Sequence, residues 1–220
     1  MRIGIVGGTG KEGLGLGLRW AQAGHDVIIG SRDAERARAK ATELAAAAPG
    51  RRIEGMSNRD AAAAAEVVVL TVPATGLGAT LPELREPCRG KIVVSSVVPL
   101  TFGGPRLFTP PPPGSAAEEA QELLGPEARV VAAFHHIAAH ELAAGDHPIE
   151  CDLLLCGADA DGKKLVADLG KSMGLRPVDV GPLSNAGPVE GITALLATIN
   201  RRYKLKNSGI KITGLDISGG

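Results

Sequence analysis

The sequence has little aromatic matter and little cysteine. Its 220 residues include one Trp, one Tyr and three Phe, 2% of the chain. So few rings leave no stacking platform for the bases of a single-stranded nucleic acid. There is no surplus of charge either: Lys plus Arg and Asp plus Glu number 24 each. With no block of like sign, that balance argues against a nucleic-acid partner held by a basic face. The three cysteines (Cys88, Cys151 and Cys156) are odd in number and have no C-x-x-C spacing. They fit reduced thiols in the cytosol better than a disulfide framework or a zinc site. No apolar run reaches the roughly 18 residues of a membrane helix. A strand pattern starting at Arg2 leaves no room for the charged and apolar regions of a cleaved leader. The expectation is a soluble cytoplasmic protein with no membrane contact. Its length fits one large α/β domain, or one domain with a small appendage. Its core must be built from Val, Leu, Ile and Ala.

The first 32 residues carry the strongest pattern. Arg2 to Val6 is a short β-branched run suited to a buried parallel strand. It meets Gly7, Gly8, Thr9, Gly10, Lys11, Glu12 and Gly13, which contain G-x-G-x-x-G at Gly8, Gly10 and Gly13. A helical pattern closed by Gly24 and a second strand, His25 to Gly30, follow. In this context Gly8 allows a tight turn, Gly10 admits a pyrophosphate to the backbone and Gly13 lets helix pack on strand. The helix N-terminus offers free N–H groups and a positive dipole end to phosphates.

The end of the second strand refines the ligand. Proteins that prefer NAD place Asp or Glu there for the ribose 2′-hydroxyl. Here the strand ends Gly30, Ser31, Arg32, with Arg36 one turn on; Asp33 and Glu35 do not occupy its last position. A hydroxyl and two guanidinium groups suit a 2′-phosphate, which points to NADP(H). The plainer alternative is that Arg32 and Arg36 cap and solvate a helix.

Further along, a helix is expected over residues 33–48 and a short strand over 52–56. Ser57-Asn58-Arg59-Asp60 supplies N-caps for an alanine-rich helix. Val67 to Val72 and Lys91 to Val98 read as buried strands stopped by Pro73 and Pro99, with a helix opening at Ala74 to Gly78. Four consecutive prolines and three glycines exclude regular structure from Thr101 to Gly114, a binding-site wall or a plain linker. Ser115 to Glu118 has capping-box spacing, and a strand over 129–134 delivers His135, His136 and Ile137. Later elements are a strand over 151–156, a helix over 161–173, a strand over 176–180 and a helix with apolar positions 189, 192, 195, 196 and 199. Residues 204–220 match no element, and the last glycines read as frayed. The whole is a doubly wound Rossmann-type α/β sheet, residues 1–142, with a small α/β extension, residues 143–220.

The chemistry-bearing residues are few. His136 and His140, four apart beside Glu141, could share a metal, but the pattern is not H-E-x-x-H and no third ligand is marked. His135 is placed to line a substrate pocket, unless backbone at the strand end merely satisfies it. Ser95, Ser96 and Ser184 lack a nucleophile-elbow context. Glu141 or Glu190 could serve as acid or base, but direct hydride transfer needs only two carbons held close in a dry site. Small apolar residues at strand ends (Val72, Val98, Pro99, Ile137 and Ala138) suit that.

The stretches GGTGKEGLGLGLRWA, VIIGSRD, VVVLTVP, KIVVSSVVP, FHHIAA, GPLSNAGPVEGITALLATINRRY and GIKITGL together resemble the NADP-dependent oxidoreductases of the deazaflavin coenzyme F420. They cover nearly the whole chain in order. The resemblance implies a homodimer, without metal or flavin, that passes a hydride directly between NADP(H) and coenzyme F420. It implies that Thr9 to Glu12 wrap the pyrophosphate and that Ser31, Arg32 and Arg36 hold the 2′-phosphate. Val72 and Ala139 then lie along the nicotinamide half. Val98, Pro99, His135, Ile137 and Ala138 form the deazaflavin pocket, and no residue is required as acid or base. Two departures stand out: the family's H-T-I-P-A reads His135-His136-Ile137-Ala138-Ala139, and the Pro110–Pro113 run is long. Competing readings are a related NADPH-dependent reductase of a flavin, metal chelate or small imine, and a sensing module that binds NADP(H) without turnover.

Overall fold

Arg2–Val6 (β1), Asp26–Ser31 (β2), Ile53–Ser57 (β3), Val67–Leu70 (β4), Ile92–Ser95 (β5) and Arg129–Ala133 (β6) form parallel strands in the computed structural model, in the order β3-β2-β1-β4-β5-β6. The structure describes residues 1–145 and 147–215. Strand order reverses between β1 and β4, so the crevice at their carboxyl ends is the place where such sheets bind ligands. The parallel strands are continuous apolar runs because helices cover both faces. Val67 and Val69 meet one core with Leu16, Trp20 and Leu44; Val68 and Leu70 meet another with Leu77, Leu84 and Leu124. The first core is covered by Lys11–Gln22 (α1), Ala34–Ala47 (α2) and Ala160–Lys171 (α7). Behind the second lie Asn58–Ala64 (α3), Leu77–Thr80 (α4) and Ala116–Leu124 (α5). Alanines in α3 allow a close approach: a Cβ on Gly4 of β1 would lie 2.6 Å from the Ala61 carbonyl oxygen.

Local signals act as expected at several starts. Asp33 caps α2, accepting from the Glu35 and Arg36 N–H groups at 2.9 and 3.2 Å. Ser57 caps α3 through the Asp60 N–H, and Ser115 caps α5 through the Glu118 N–H. Two strands end sooner than the sequence pattern implies. The N–H and hydroxyl of Thr71 both donate to the Val6 carbonyl, and those of Ser96 both donate to the Leu70 carbonyl. Residues 72 and 98 therefore lie on the rim beyond the strands. The helix expected from Ala74 is a 3-10 turn, Ala74–Gly76, followed by the four-residue α4, which Pro82 ends because it has no N–H to continue the hydrogen-bond ladder.

The sheet continues with Asp152–Gly157 (β7), antiparallel to β6, and Arg176–Asp179 (β8), parallel to β7, for eight strands in all. The sequence expectation of a strand over 151–156 carried no direction. This reversal keeps the whole β6–β7 connection, including Ala139–Ala144 (α6), on the carboxyl-end rim. The expected boundary after residue 142 falls within α6. Ala186–Tyr203 (α8) then brings its side chains to the same rim. Residues 208–215 are held rather than loose: the Asp152 N–H donates to the Ile210 carbonyl, and Arg176 donates to the Ile212 and Leu215 carbonyls. Residues 216–220, read from sequence as frayed, lie outside the described residues.

Phe134 joins β6 to the rim with φ of 70°, a left-handed conformation rare for a bulky residue. Its fully buried ring meets Trp20 edge-on, centroids 5.5 Å apart. Packing of this kind over-determines a strained backbone. Replacing Phe134 by Ala is expected to destabilise the protein by about 3–5 kcal/mol, read as a lower urea midpoint with unchanged slope.

Candidate functional site

The glycine turn is organised by close contacts. The residue of the turn in the left-handed conformation is Gly7, with φ of 74°. Gly8 instead fits where a side chain could not, since a Cβ there would lie 2.8 Å from the Ile5 carbonyl oxygen. A Cβ on Gly13 would lie 2.6 Å from the Gly8 Cα, so α1 sits directly on the turn. In front of Gly10 the space is open, with the nearest atom 3.9 Å from a built Cβ. The N-terminus of α1 has no side-chain cap, so its N–H groups stay available to an anion. Thr9 and Lys11 border this opening, and Lys11 is exposed.

At the end of β2, Ser31 is buried and its hydroxyl accepts from the Asp33 N–H at 3.2 Å. Asp33 is committed to capping α2, and Glu35 is paired with Arg38. The guanidinium groups of Arg32 and Arg36 are exposed and have no ion-pair partner among the described residues. The nearby carboxylates are engaged elsewhere. Val72 presses on Gly7, with its Cγ1 2.7 Å from a built Cβ, and so stands at the mouth of the turn. Val98 and Pro99 are half-buried on the rim after β5.

The turn after Phe134 gathers the histidines. His136 Nε2 lies 2.8 Å from the Asp152 carbonyl oxygen, so this ring serves the β6–β7 junction. His140 is exposed. His135 is buried, and neither ring nitrogen has a partner. Burial, then the neighbouring His136, pushes its pKa down to about 3, so it is a neutral imidazole at physiological pH. It lines a cavity of about 200 Å³ with Glu12, Ile137, Ala138 and Ala139. The far wall comes from Thr193, Leu196, Ala197 and Asn200 of α8 and from Ser208. Val72, Val98 and Pro99 lie outside this cavity.

The α8 wall was missed by sequence reasoning. Thr193 donates to the His135 carbonyl at 3.0 Å, yet nothing in an alternating apolar pattern marks that contact. The proposed acid–base role of Glu190 is corrected. This fully buried carboxylate accepts from the Ala116 and Ala117 N–H groups at 3.0 and 3.1 Å, capping α5 from α8. Glu141 is paired with His147 at 2.7 Å and does not line the His135 cavity.

These features define the class: a Rossmann-type dinucleotide-binding fold, with a glycine turn and an uncapped helix N-terminus at the carboxyl end of β1. The family described as "NADP oxidoreductase coenzyme F420-dependent" matches residues 2–99. The chain is 42% identical to the F420-dependent NADP reductase of Methanothermobacter thermautotrophicus, covering 98% of this chain and 96% of that one. It is 41% identical to the F420-dependent NADP reductase of Methanocaldococcus jannaschii, over 99% of this chain and all of the other. Among solved structures, an Arthrobacter sp. FB24 protein assigned as an F420-dependent NADP-reductase superposes with a TM-score of 0.80. That protein is 29% identical, and the match covers 96% of this chain and 98% of the other. The protein belongs to the F420-dependent NADP oxidoreductase family.

Burial raises the Glu190 pKa from 4.5 to about 7, against the lowering effect of the two N–H groups. A group raised on folding stabilises most below its unfolded pKa, and that contribution is lost as pH rises through the folded value. Stability should therefore decline from pH 4.5 towards 7 by about 3 kcal/mol more in the wild type than in Glu190→Gln, measured by urea denaturation across that range.

Proposed function

We propose that this protein transfers a hydride directly between NADP(H) and the deazaflavin coenzyme F420. The observation that carries the NADP(H) half is the pair of unpartnered guanidinium groups, Arg32 and Arg36, beside the buried Ser31 at the end of β2. The glycine cradle fits the rest of that ligand: Gly10 leaves the approach open, and the uncapped α1 N-terminus faces the phosphates from Gly7 to Gly13. Val72 and Ala139 flank the nicotinamide half. Val98, Pro99, His135, Ile137 and Ala138 border the deazaflavin, where the orphaned His135 nitrogens are free to meet a polar ring edge. When bound, the dihydronicotinamide supplies a hydride that the deazaflavin takes at C5. The protein's work is to bind, orient and exclude water, which the apolar rim residues do.

The same reading divides the chain into a dinucleotide-binding part, residues 1–142, and a smaller part, residues 143–220, that completes the deazaflavin site and forms a homodimer. Support for the dimer comes from α8, whose apolar stripe is only partly covered: Leu195 is 64% exposed, Ile199 38% and Tyr203 65%. A second copy of the chain covers such a face in a C2 assembly. The cytoplasm is its setting, in keeping with the free buried thiols of Cys88, Cys151 and Cys156. No helix among the described residues is long and apolar enough to cross a membrane.

Mixing the protein with NADPH and oxidised coenzyme F420 should bleach the deazaflavin's visible absorbance, with NADH and FMN as inactive controls. A protein that binds NADPH but bleaches no deazaflavin would be a sensor or serve another acceptor. Replacing Ser31 and Arg32 together should cut the preference for NADPH over NADH by about tenfold or more, read as the ratio of the two kcat/KM values. Leu195→Glu with Ile199→Glu should convert the dimer to monomer in light scattering.

A further inference from the structure

Glu12 has no part in the direct hydride step described above, yet its setting is unusual for a carboxyl group. It lies in the first turn of α1, where a helix dipole favours the ionised form. Its Oε1 is nevertheless sealed from solvent with no hydrogen-bond partner. The residue as a whole is half-buried, so it borders the opening while Oε1 sits inside. Apolar side chains, among them Ile137, Ala138 and Leu196, line the same cavity. His135 and His136 are the titratable groups that face it there, and both are held in the neutral form by burial. From α8 and the tail it meets the polar but non-titrating Thr193, Asn200 and Ser208. The adjacent Lys11 is exposed, and Glu141 is engaged with His147. No cation among the described residues lines the cavity to stabilise a carboxylate.

Resting on the proposed function, we infer that Glu12 enters each turnover as a neutral acid and carries the proton that the oxidoreduction consumes beyond the hydride. A hydride from dihydronicotinamide brings two electrons and one hydrogen nucleus. The fully reduced deazaflavin holds one proton more, which the dinucleotide does not supply. In deazaflavin reduction the Glu12 O–H bond breaks as an N–H bond forms at N1 of the hydride-loaded ring, and the carboxylate left behind takes a proton from solvent water at the opening. The opposite direction starts from the Glu12 carboxylate, which takes the N1 proton and returns it to water. His135 is a poor source, being neutral at physiological pH, whereas burial lifts the Glu12 pKa from 4.5 to about 8 and keeps it loaded. A cavity of about 200 Å³ is also too small for the ring system itself, below the roughly 300 Å³ at which ligand pockets begin. It suits a polar recess beside the reacting rings.

The test compares the wild type with Glu12→Gln and Glu12→Asp. Infrared difference spectra of the ligand-free protein near neutral pH should show a carboxylic-acid carbonyl band that Glu12→Gln lacks. In NADPH-driven turnover Glu12→Gln should lose about 100-fold in kcat while NADPH affinity, by fluorescence titration, is retained, because residue 12 offers the pyrophosphate its backbone N–H, which Gln keeps. Wild-type kcat should fall above pH 8 as Glu12 loses its proton, and that limb should vanish in Glu12→Gln and return, shifted, in Glu12→Asp. Wild-type turnover with the deazaflavin tests the underlying functional reading. If the wild type turns over and Glu12→Gln matches its kcat and pH profile, or if the carbonyl band is the same in both, the proton role is overturned and the functional reading stands.

Discussion

The structure depends on how closely α1 can be packed. A Cβ on Gly13 would strike the glycine turn at 2.6 Å, and one on Gly15 would strike the Leu142 Cβ at 2.6 Å. One helix therefore meets the glycine turn at Gly13 and α6 at Gly15, with no α1 side chain between at either point. Its far end continues the work. Arg19, buried in α1, donates to the carbonyls of Glu141, Leu142 and His147 and so closes the C-terminal end of α6. Trp20 fixes Phe134 through its ring and donates to the Leu169 carbonyl of α7. The phosphate cradle, the 135–139 turn and the second half of the sheet are thus placed relative to one helix. A shift of α1 would move all three together, which suits a reaction in which two bound rings must meet at a fixed separation.

The two ends of the rim solve opposite electrostatic problems. At the β2 end, where the proposed site takes a charged ligand, the protein leaves cations in water with their local carboxylates otherwise engaged: Asp33 in a cap and Glu35 with Arg38. Solvated guanidinium groups carry little desolvation cost and bind a phosphate through paired donors. At the other end ionised groups are removed rather than supplied. Burial keeps His135 and His136 neutral and loads Glu12 with a proton. A dry site of this kind excludes water from a reactive hydride donor.

Much of this was legible in the sequence, for identifiable reasons. The strands β1, β2, β4, β5 and β6 announce themselves as β-branched runs because both faces of a parallel sheet are buried. The caps at Ser57 and Ser115 are local chemistry, and local chemistry is what sequence spacing reports. Glycine spacing located the turn but not its left-handed residue, because Gly7 and Gly8 are alike in sequence and differ only in what they touch. The direction of β7 was not legible, since an apolar run such as residues 152–156 reads the same in parallel and antiparallel pairs. The left-handed Phe134 was hidden because the conformation is imposed by packing against Trp20, not by the residue's own preference. Glu12 read as part of a phosphate loop. Its distinguishing property, a buried Oε1 with no partner among the described residues, depends on residues more than 100 positions away that wall the cavity.

Asp152 shows how the extension reaches the site without lining the cradle. Its carbonyl oxygen holds His136 Nε2 at 2.8 Å. Its carboxylate accepts from Arg176 at 2.7 and 2.5 Å and from the Ile212 N–H at 2.6 Å. Hydrogen bonding from Arg176, opposed in part by burial, holds its pKa below the usual carboxylate range, so it stays ionised where Glu12 does not. One residue at the start of β7 thus ties the histidine turn, the edge strand and the tail together. The tail segment then places Ser208, held by Asn200 and Leu196, over the wall of the His135 cavity. Only because β7 runs against β6 does its first residue lie on the carboxyl-end rim. With a parallel β7 the chain would have had to cross the sheet before pairing, and Asp152 would have begun its strand at the opposite edge, out of reach of His136. The reversal of one strand is therefore what turns an open dinucleotide crevice into a walled site.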